Sequence, residues 1–260
     1  MYLTKELEVC KSLAQEAGKV ILDIYQQDFS VEYKKDESPL TIADKKANDL
    51  IVEKLQKEFP KYAILSEESQ DDLKRIDNPW CWIVDPLDGT KEFIKRNGEF
   101  TVNIALAYEH RVVLGVIYAP VPKKLYYAAK GIGAYGMDEK GNVSSLNVSN
   151  KVDSLIAVGS RSHGSEKLQT AYNESGKIKE IMAKGSSLKG CLIAAGEADV
   201  YYRDGYTMEW DTAAMQCIAE EAGAVFRQLD NSEMLYNREN SLNDKGFYIL
   251  NRVENKMPMG

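Results

Sequence analysis

Two acids three residues apart, Asp85 and Asp88, close an apolar, β-rich run, Trp82-Ile83-Val84, and are followed at once by Gly89 and Thr90. Carboxylates in such a turn can hold divalent cations, with the Leu87 carbonyl as a neutral oxygen donor. Pro86 keeps Asp85 extended, because the residue before a proline avoids the helical region. Gly89 lets the backbone approach a ligand without a Cβ in the way. Thr90 is read as opening a short helix through Ile94, so that N–H groups of the turn point at an anion. The chemistry this suggests is metal-assisted phosphate hydrolysis. The competing reading is a surface turn, since Asp, Pro and Gly are common turn formers; the buried strand before it and the Gly-Thr tail after it speak against that.

Other acids stand in comparable places. Glu67 and Glu68 follow the short apolar run Ala63-Ile64-Leu65 and, taken alone, read as a solvated strand end. Asp211, before Thr212-Ala213-Ala214, reads as a helix N-cap. One carboxylate oxygen can cap while the other meets a metal. Asp44 lies three residues after Thr41, the spacing of a capping box.

The rest of the composition narrows the metal. With only two histidines, His110 and His163, and four cysteines without a CxxC pair, neither a His-rich nor a thiolate site can be built. Oxygen ligands favour Mg²⁺. Scattered cysteines also argue against a disulfide framework. A net charge of −7 opposes non-specific nucleic-acid binding. It still permits a phosphorylated small molecule, if cations sit between pocket and ligand. No stretch approaches the ~20 apolar residues of a membrane span. The charged N-terminus has no signal-peptide core, so a cytoplasmic protein without an integral membrane segment is expected.

The elements that must carry these residues follow from periodicity. Leu3, Leu7, Cys10, Leu13, Ala14, Ala17, Ile21 and Ile24 recur at helical steps, and residues Thr41 to Phe59 form a second amphipathic helix ended by Pro60. Strands are expected at 63–65, 80–84, 101–108, 111–118 and 125–129, before a glycine-rich stretch at 131–136. The polar segment 138–153 is the best domain junction. Beyond it, strands at 155–158, 200–202, 224–227 and 247–250 alternate with helices at 188–197 and 211–222. The expected fold is α+β to α/β and layered, an αβαβα sandwich. An antiparallel sheet with helices occupies the N-terminal half (1–150), and a smaller mixed or parallel sheet with helices the C-terminal half (151–260), which contributes Asp211.

Together, Ser66-Glu67-Glu68, Asp85-Pro86-Leu87-Asp88-Gly89-Thr90 and Trp210-Asp211-Thr212-Ala213-Ala214 resemble the three signature motifs of the inositol monophosphatase superfamily, which comprises Mg²⁺-dependent, lithium-sensitive phosphatases. Their order and spacing match across nearly the whole chain. Within the superfamily the chain most resembles the CysQ-type 3′(2′),5′-bisphosphate nucleotidases, through Lys91-Glu92 before Phe93, Arg96 to Ala105, Ser160-Arg161-Ser162-His163 and Gly185 to Lys189. The resemblance implies hydrolysis of 3′-phosphoadenosine 5′-phosphate (PAP) to AMP and phosphate in sulfur metabolism, with 3′-phosphoadenosine 5′-phosphosulfate (PAPS) as a second substrate to consider. An inositol or sugar phosphatase on the same fold is the alternative, and a phosphonucleotide-binding protein without turnover a third reading.

Carried over by motif, Glu67, Asp85 and the Leu87 carbonyl would hold a first Mg²⁺, and Asp85, Asp88 and Asp211 a second. Glu67 would reach a third through water. Asp44 and Thr90 would activate the attacking water, and the N–H groups of Gly89 and Thr90 would bind the scissile phosphate. Glu67, Leu87, Asp88 and Asp211 would also border the substrate. The loop before Asp44 is short and charged, and leaves open which of Lys34 and Lys35, if either, touches phosphate. For the rest of the nucleotide, Ser187 and Lys189 stand at the start of an expected helix, Lys189 and Arg203 are candidates for the 5′-phosphate or the adenosine, His163 for the base or ribose, and Ser160 for a further substrate contact; each also reads as a solvated surface residue. A monomer or a homodimer is compatible with the chain. Some relatives attach peripherally to the inner face of the membrane, yet no basic amphipathic helix here demands it.

Overall fold

The computed structural model describes residues 3–28, 30–34, 39–71, 73–160 and 165–258. Helices α1 (Thr4–Tyr25) and α2 (Ile42–Glu58) pack side by side, with the two-stranded β1 (Val31–Tyr33) and β2 (Pro39–Thr41) between them in sequence. A seven-stranded sheet follows in chain order: β3 (Ala63–Ser66), β4 (Trp80–Asp88), β5 (Thr101–Tyr108), β6 (Arg111–Ala119), β7 (Lys124–Ala129), β8 (Gly133–Met137) and β9 (Val143–Ser145). It is antiparallel except for the β3–β4 pair. The short α3 (Thr90–Ile94) leaves the end of β4.

The second half builds a five-stranded mixed sheet in the order β11-β10-β12-β16-β14. Its strands are β10 (Leu155–Ser160), β11 (Ile178–Lys184), β12 (Val200–Arg203), β14 (Val225–Gln228) and β16 (Phe247–Leu250); β13 (Thr207–Met208) and β15 (Leu242–Asn243) pair separately. Helix α4 (Glu166–Ser175) covers one face, while α5 (Leu188–Ala194) and α6 (Glu209–Glu221) lie between the two sheets. The layers are therefore α1/α2, large sheet, α5/α6, small sheet, α4, which is the expected αβαβα sandwich.

Strand periodicity explains the layering. In β4, Trp82 and Val84 face α1 and α2, whereas Cys81 and Ile83 face α5 and α6. Neighbouring side chains on a strand point to opposite faces, so a strand buried on both sides reads as one continuous apolar run. Tyr201 and Tyr202 divide in the same way between the central core and the outer one. Both pack in the strand, as their sequence context suggested. At Gly115 of β6 a Cβ would stand 2.5 Å from the Ala214 carbonyl oxygen, so this glycine lets α6 lie directly on the sheet.

Several expectations need correction. Helix α4 and strand β11 were not anticipated; α4 is short and mostly polar, with Leu168, Ala171 and Tyr172 on its one buried face, and β11 is an exposed sheet edge without alternation. Helix α5 ends at Ala194 rather than at residue 197. The polar junction 138–153 contains β9, which extends the large sheet. Helix α6 starts at Glu209, so Asp211 is its third residue and not its N-cap. Among the described residues, no helix is long and apolar enough to cross a membrane.

Candidate active site

The first carboxylate pair owes its geometry to a bulge. Asp85 pairs with Asn103 and Asp88 with Thr101, so β4 carries one residue more than β5 between these two pairs. In a regular strand, residues three apart would point to opposite faces; the extra residue restores them to the same face. Pro86, without an N–H for the ladder, sits at the irregularity. The Leu87 N–H donates to Asp85 Oδ1 at 3.0 Å, which ties the loop back onto its own acid. Gly89 then takes φ +93°, and a Cβ there would meet the Glu99 carbonyl at 3.2 Å.

Parallel pairing of β3 with β4 places Glu67 beside the same turn, and the Glu67 N–H donates to the Val84 carbonyl at 3.1 Å. Asp211 arrives from the other half on the first turn of α6, where its Oδ2 accepts the Met208 N–H at 2.6 Å. One carboxylate oxygen from each of Asp85, Asp88 and Asp211 lies within 4.8 Å of the others. Three carboxylates this close, in a partly buried place, have the donor set of a hard divalent cation. Glu67 stands next to this group, with its Oε1 held 2.7 Å from Lys34 Nζ.

The electrostatics carry the same message. Burial, then the charges of Glu67, Asp88 and Asp211, push Asp85 well above the ordinary carboxylate range. Asp211 is raised to about 8, by burial first and then by Asp88. Glu67 is raised to about 7 by burial, with Lys34 opposing and Glu68 and Asp44 assisting. A set of acids that resists ionisation because each neighbour is also an acid is a set waiting for positive charge.

Asp44 is buried at the N-terminus of α2. Its Oδ2 accepts the Thr41 N–H at 2.8 Å and the Thr41 hydroxyl at 2.6 Å, while the Thr41 Oγ1 accepts from the Ala43 N–H. The capping arrangement read from spacing is present, and it is not the whole role: the Thr90 hydroxyl donates to Asp44 Oδ1 at 3.1 Å. The same hydroxyl lies 3.3 Å from the Leu87 carbonyl, so it sits between the two loops. Burial raises the Asp44 pKa, opposed by the bonds from Thr41 and Thr90.

A cavity of about 190 Å³ opens on this cluster. Its lining includes the acids Asp88, Glu92 and Asp211 together with Gly89, Lys91, Lys189, Arg203 and Tyr206.

Comparison with known proteins fits this geometry. Residues 3–255 match the sequence model of the inositol monophosphatase family. The chain belongs to the inositol monophosphatase family. It is 42% identical to the 3′(2′),5′-bisphosphate nucleotidase CysQ of Salmonella typhimurium, over 93% of this chain and 98% of that protein. It is 39% identical, with the same coverage, to the protein of that name from Escherichia coli K12. The crystal structure of CysQ from Bacteroides thetaiotaomicron, a bacterial member of the family, superposes with a TM-score of 0.84 at 42% identity, covering 96% of this chain and 99% of that one. An IMPase from Thermotoga maritima, at 24% identity and TM-score 0.79, shares the fold.

Within this family frame, the second-half residues divide. Ser187, expected as a substrate contact at a helix start, is 2% exposed and directs both its N–H and its hydroxyl at Asp88 Oδ2, each at 2.6 Å. The helix after it has only seven residues, and the donors of Ser187 are already engaged. It supports the acid from the cavity wall, which it also lines. Lys189 lines the cavity, but its ammonium is nearly buried and donates to the Ser186 carbonyl at 2.6 Å. Burial lowers its pKa, with Asp88 opposing. Arg203 lines the cavity too, and Tyr206, 68% exposed, stands at its rim. The Ser160 side chain, His163 and Lys35 lie outside the described residues. Lys34 pairs with Glu67 and, at 2.5 Å, with Glu68; burial works against its charge, yet the two carboxylates more than offset this and raise its pKa.

Sequence reasoning missed Asn103, whose Nδ2 reaches both Asp88 Oδ2 (3.2 Å) and Ser187 Oγ (2.8 Å). The signal was available: an asparagine inside the apolar run of β5 requires a buried partner.

Proposed function

We propose that the chain is a Mg²⁺-dependent phosphomonoesterase that removes the 3′-phosphate of PAP, giving AMP and phosphate, with residues 1–150 supplying the catalytic acids and 151–260 the contacts to the rest of the nucleotide. The observation that carries this reading is the convergence of Asp85, Asp88 and Asp211 within 4.8 Å, beside a Thr90–Asp44 hydrogen bond and a cavity lined by cations. The similarity to the CysQ nucleotidases, whose name states this substrate class, supports the choice of nucleotide over inositol phosphate.

On this reading Asp85, Asp88, Asp211, Glu67 and the Leu87 carbonyl hold two or three Mg²⁺ ions. When bound, the ions supply Lewis-acid activation of water and neutralise charge on the phosphate and the leaving oxygen. The chain's own residues do the rest. Thr90 donates a hydrogen bond to Asp44 Oδ1, which leaves the Oγ1 lone pairs to accept a proton from the attacking water while the Thr90 hydroxyl proton passes to Asp44. Asp44, whose Oδ2 accepts the Thr41 N–H and hydroxyl, holds that direction fixed. The Gly89–Thr90 backbone lies where the phosphate must sit, and Gly89 keeps it free of a side chain. Lys189 and Arg203 place positive charge in the cavity wall, where a second phosphate would lie.

Phosphate release from PAP, PAPS and inositol 1-phosphate, each with Mg²⁺, tests the proposal. Turnover of PAP is expected to exceed that of inositol 1-phosphate. Equal or better turnover of inositol 1-phosphate would transfer the site to the sugar-phosphate reading, and no turnover of any substrate would make the protein a binding module.

A further inference from the structure

We propose that Glu209, held by Asn237, Arg238 and Arg75, is a positioning residue that fixes Asp211 against Asp85 and Asp88 and so sets the affinity of the carboxylate cluster for its divalent cation. The inference rests on the reading of Asp211 as a metal ligand.

Asp211 lies on the first turn of α6, where backbone N–H groups lack partners within the helix and the chain frays unless something holds it. Glu209 is the first residue of that turn and is fully buried. Its carboxylate accepts the N–H groups of Asn237 (2.5 Å) and Arg238 (3.0 Å). Arg238 Nε lies 3.3 Å away, close enough for an ion pair though not aligned as a hydrogen bond. The Arg238 guanidinium donates to Asn243 Oδ1 at 2.6 Å, and Asn243 Nδ2 in turn donates to the Met208 carbonyl at 2.9 Å. Met208 is the residue whose N–H holds Asp211. The network thus holds Met208 and Glu209, the residues of the helix start that precede Asp211.

The other end of the network reaches the first half. Arg75, 4% exposed, sits on the 3₁₀ turn Lys74–Asp77 between β3 and β4, the strands that bring Glu67 and Asp85. It donates to Asn237 Oδ1 (2.8 Å) and to the Arg238 carbonyl (2.9 Å), and its own carbonyl accepts from Asn237 Nδ2 at 3.0 Å. These contacts join residues more than 160 positions apart in sequence. A buried carboxylate and a buried guanidinium give little net stability over apolar replacements. Groups that orient metal ligands, by contrast, alter metal affinity by about 10–100-fold when removed.

Mn²⁺ titration of the full chain, with free ion followed by electron paramagnetic resonance, tests this independently of turnover. Glu209→Gln is expected to weaken Mn²⁺ binding about tenfold. Arg75→Met is expected to act in the same direction, and it provides the reading should Glu209→Gln fold poorly. In an Asp211→Asn background, Glu209→Gln should change affinity by less than about twofold, because the ligand it positions is gone. Phe226→Leu, a core change away from the network, should lower thermal stability without changing Mn²⁺ affinity. The proposal is overturned if Glu209→Gln and Arg75→Met only lower stability, or if Phe226→Leu weakens Mn²⁺ binding as much as they do. It also falls if the Glu209→Gln effect persists in full beside Asp211→Asn. If Asp211→Asn alone leaves Mn²⁺ binding intact, the premise about Asp211 fails instead, and the brace proposal falls with it.

Discussion

Asp88 and Arg203 line the same cavity and are held in opposite ways. Asp88 Oδ2 accepts from the Ser187 N–H and hydroxyl and from Asn103 Nδ2, so its direction is settled before any ligand arrives. Among the described residues, the Arg203 side chain donates from Nη2 to the Tyr206 carbonyl at 3.3 Å and its buried Nε has no hydrogen-bond partner. A buried donor without a partner costs about 1–3 kcal/mol. An anionic ligand is one way to remove that cost. The acid is preorganised by the protein, and on the proposed function the guanidinium is completed by what binds there. The first arrangement suits chemistry, where misplacement of a ligand lowers the rate; the second suits recognition, where unsatisfied donors discriminate between substrates.

The largest effect should come from the preorganised acid. Asp88→Asn is expected to lose roughly 10²-fold or more in phosphate release, because it removes a metal ligand and disturbs the Ser187 and Asn103 contacts. Near wild-type turnover by this variant would end the contrast by showing that the ordered acid has no chemical task.

Arg203→Ala should act on binding and not on chemistry. Loss of charge-assisted hydrogen bonds of about 1.5–3 kcal/mol corresponds to a rise of roughly 10–100-fold in KM for PAP, with kcat little changed. For 3′-AMP, which lacks the 5′-phosphate, the same variant should behave like the parent. An equal loss on both substrates would mean that Arg203 serves the scissile phosphate, or the fold, instead of a second phosphate.

The smallest effect concerns the metal-free protein. Glu67 and Asp211 have folded pKa values of about 7 and about 8 against ordinary values of 4.5 and 3.8. Burial and like charge make the folded state bind protons more tightly than the unfolded one. That contribution is fully present below the ordinary values and is lost as pH rises through the folded ones, a window from about 4 to about 8. Without metal, the melting temperature should therefore fall across that window, by on the order of a few degrees. Saturating Mg²⁺ should abolish the fall by supplying the missing positive charge. A flat profile without metal would show that the acids do not repel one another in solution as their spacing implies.

Legibility in the sequence followed the range of the interaction involved. The turn from Asp85 to Thr90 was readable because its features are local: a strand end, a proline, a glycine with positive φ and a short helix all lie within a few residues. The capping of α2 by Thr41 and Asp44 was readable for the same reason. Asp211 was identified by motif, yet it is the third residue of α6 instead of its N-cap, and its carboxylate accepts the Met208 N–H from there. Ser187 looked like an anion contact from its place at a helix start; Asp88, 99 residues away, claims its donors. Strand β11 was missed because a polar sheet edge carries little periodic signal, and helix α4 because its buried face is only three residues, Leu168, Ala171 and Tyr172.

The sequence by itself determined the oxygen-only character of the site, since it offers many carboxylates and almost no histidine, and it determined the layered fold through runs of apolar residues with periods near two and near 3.6. Only the tertiary structure decided which acids meet. Register between β3 and β4, the bulge opposite β5 and the seating of α6 on Gly115 are long-range events, each governed by packing and backbone pairing between segments far apart in the chain. No local pattern encodes the 4.8 Å that separates a cation site from three unrelated acids.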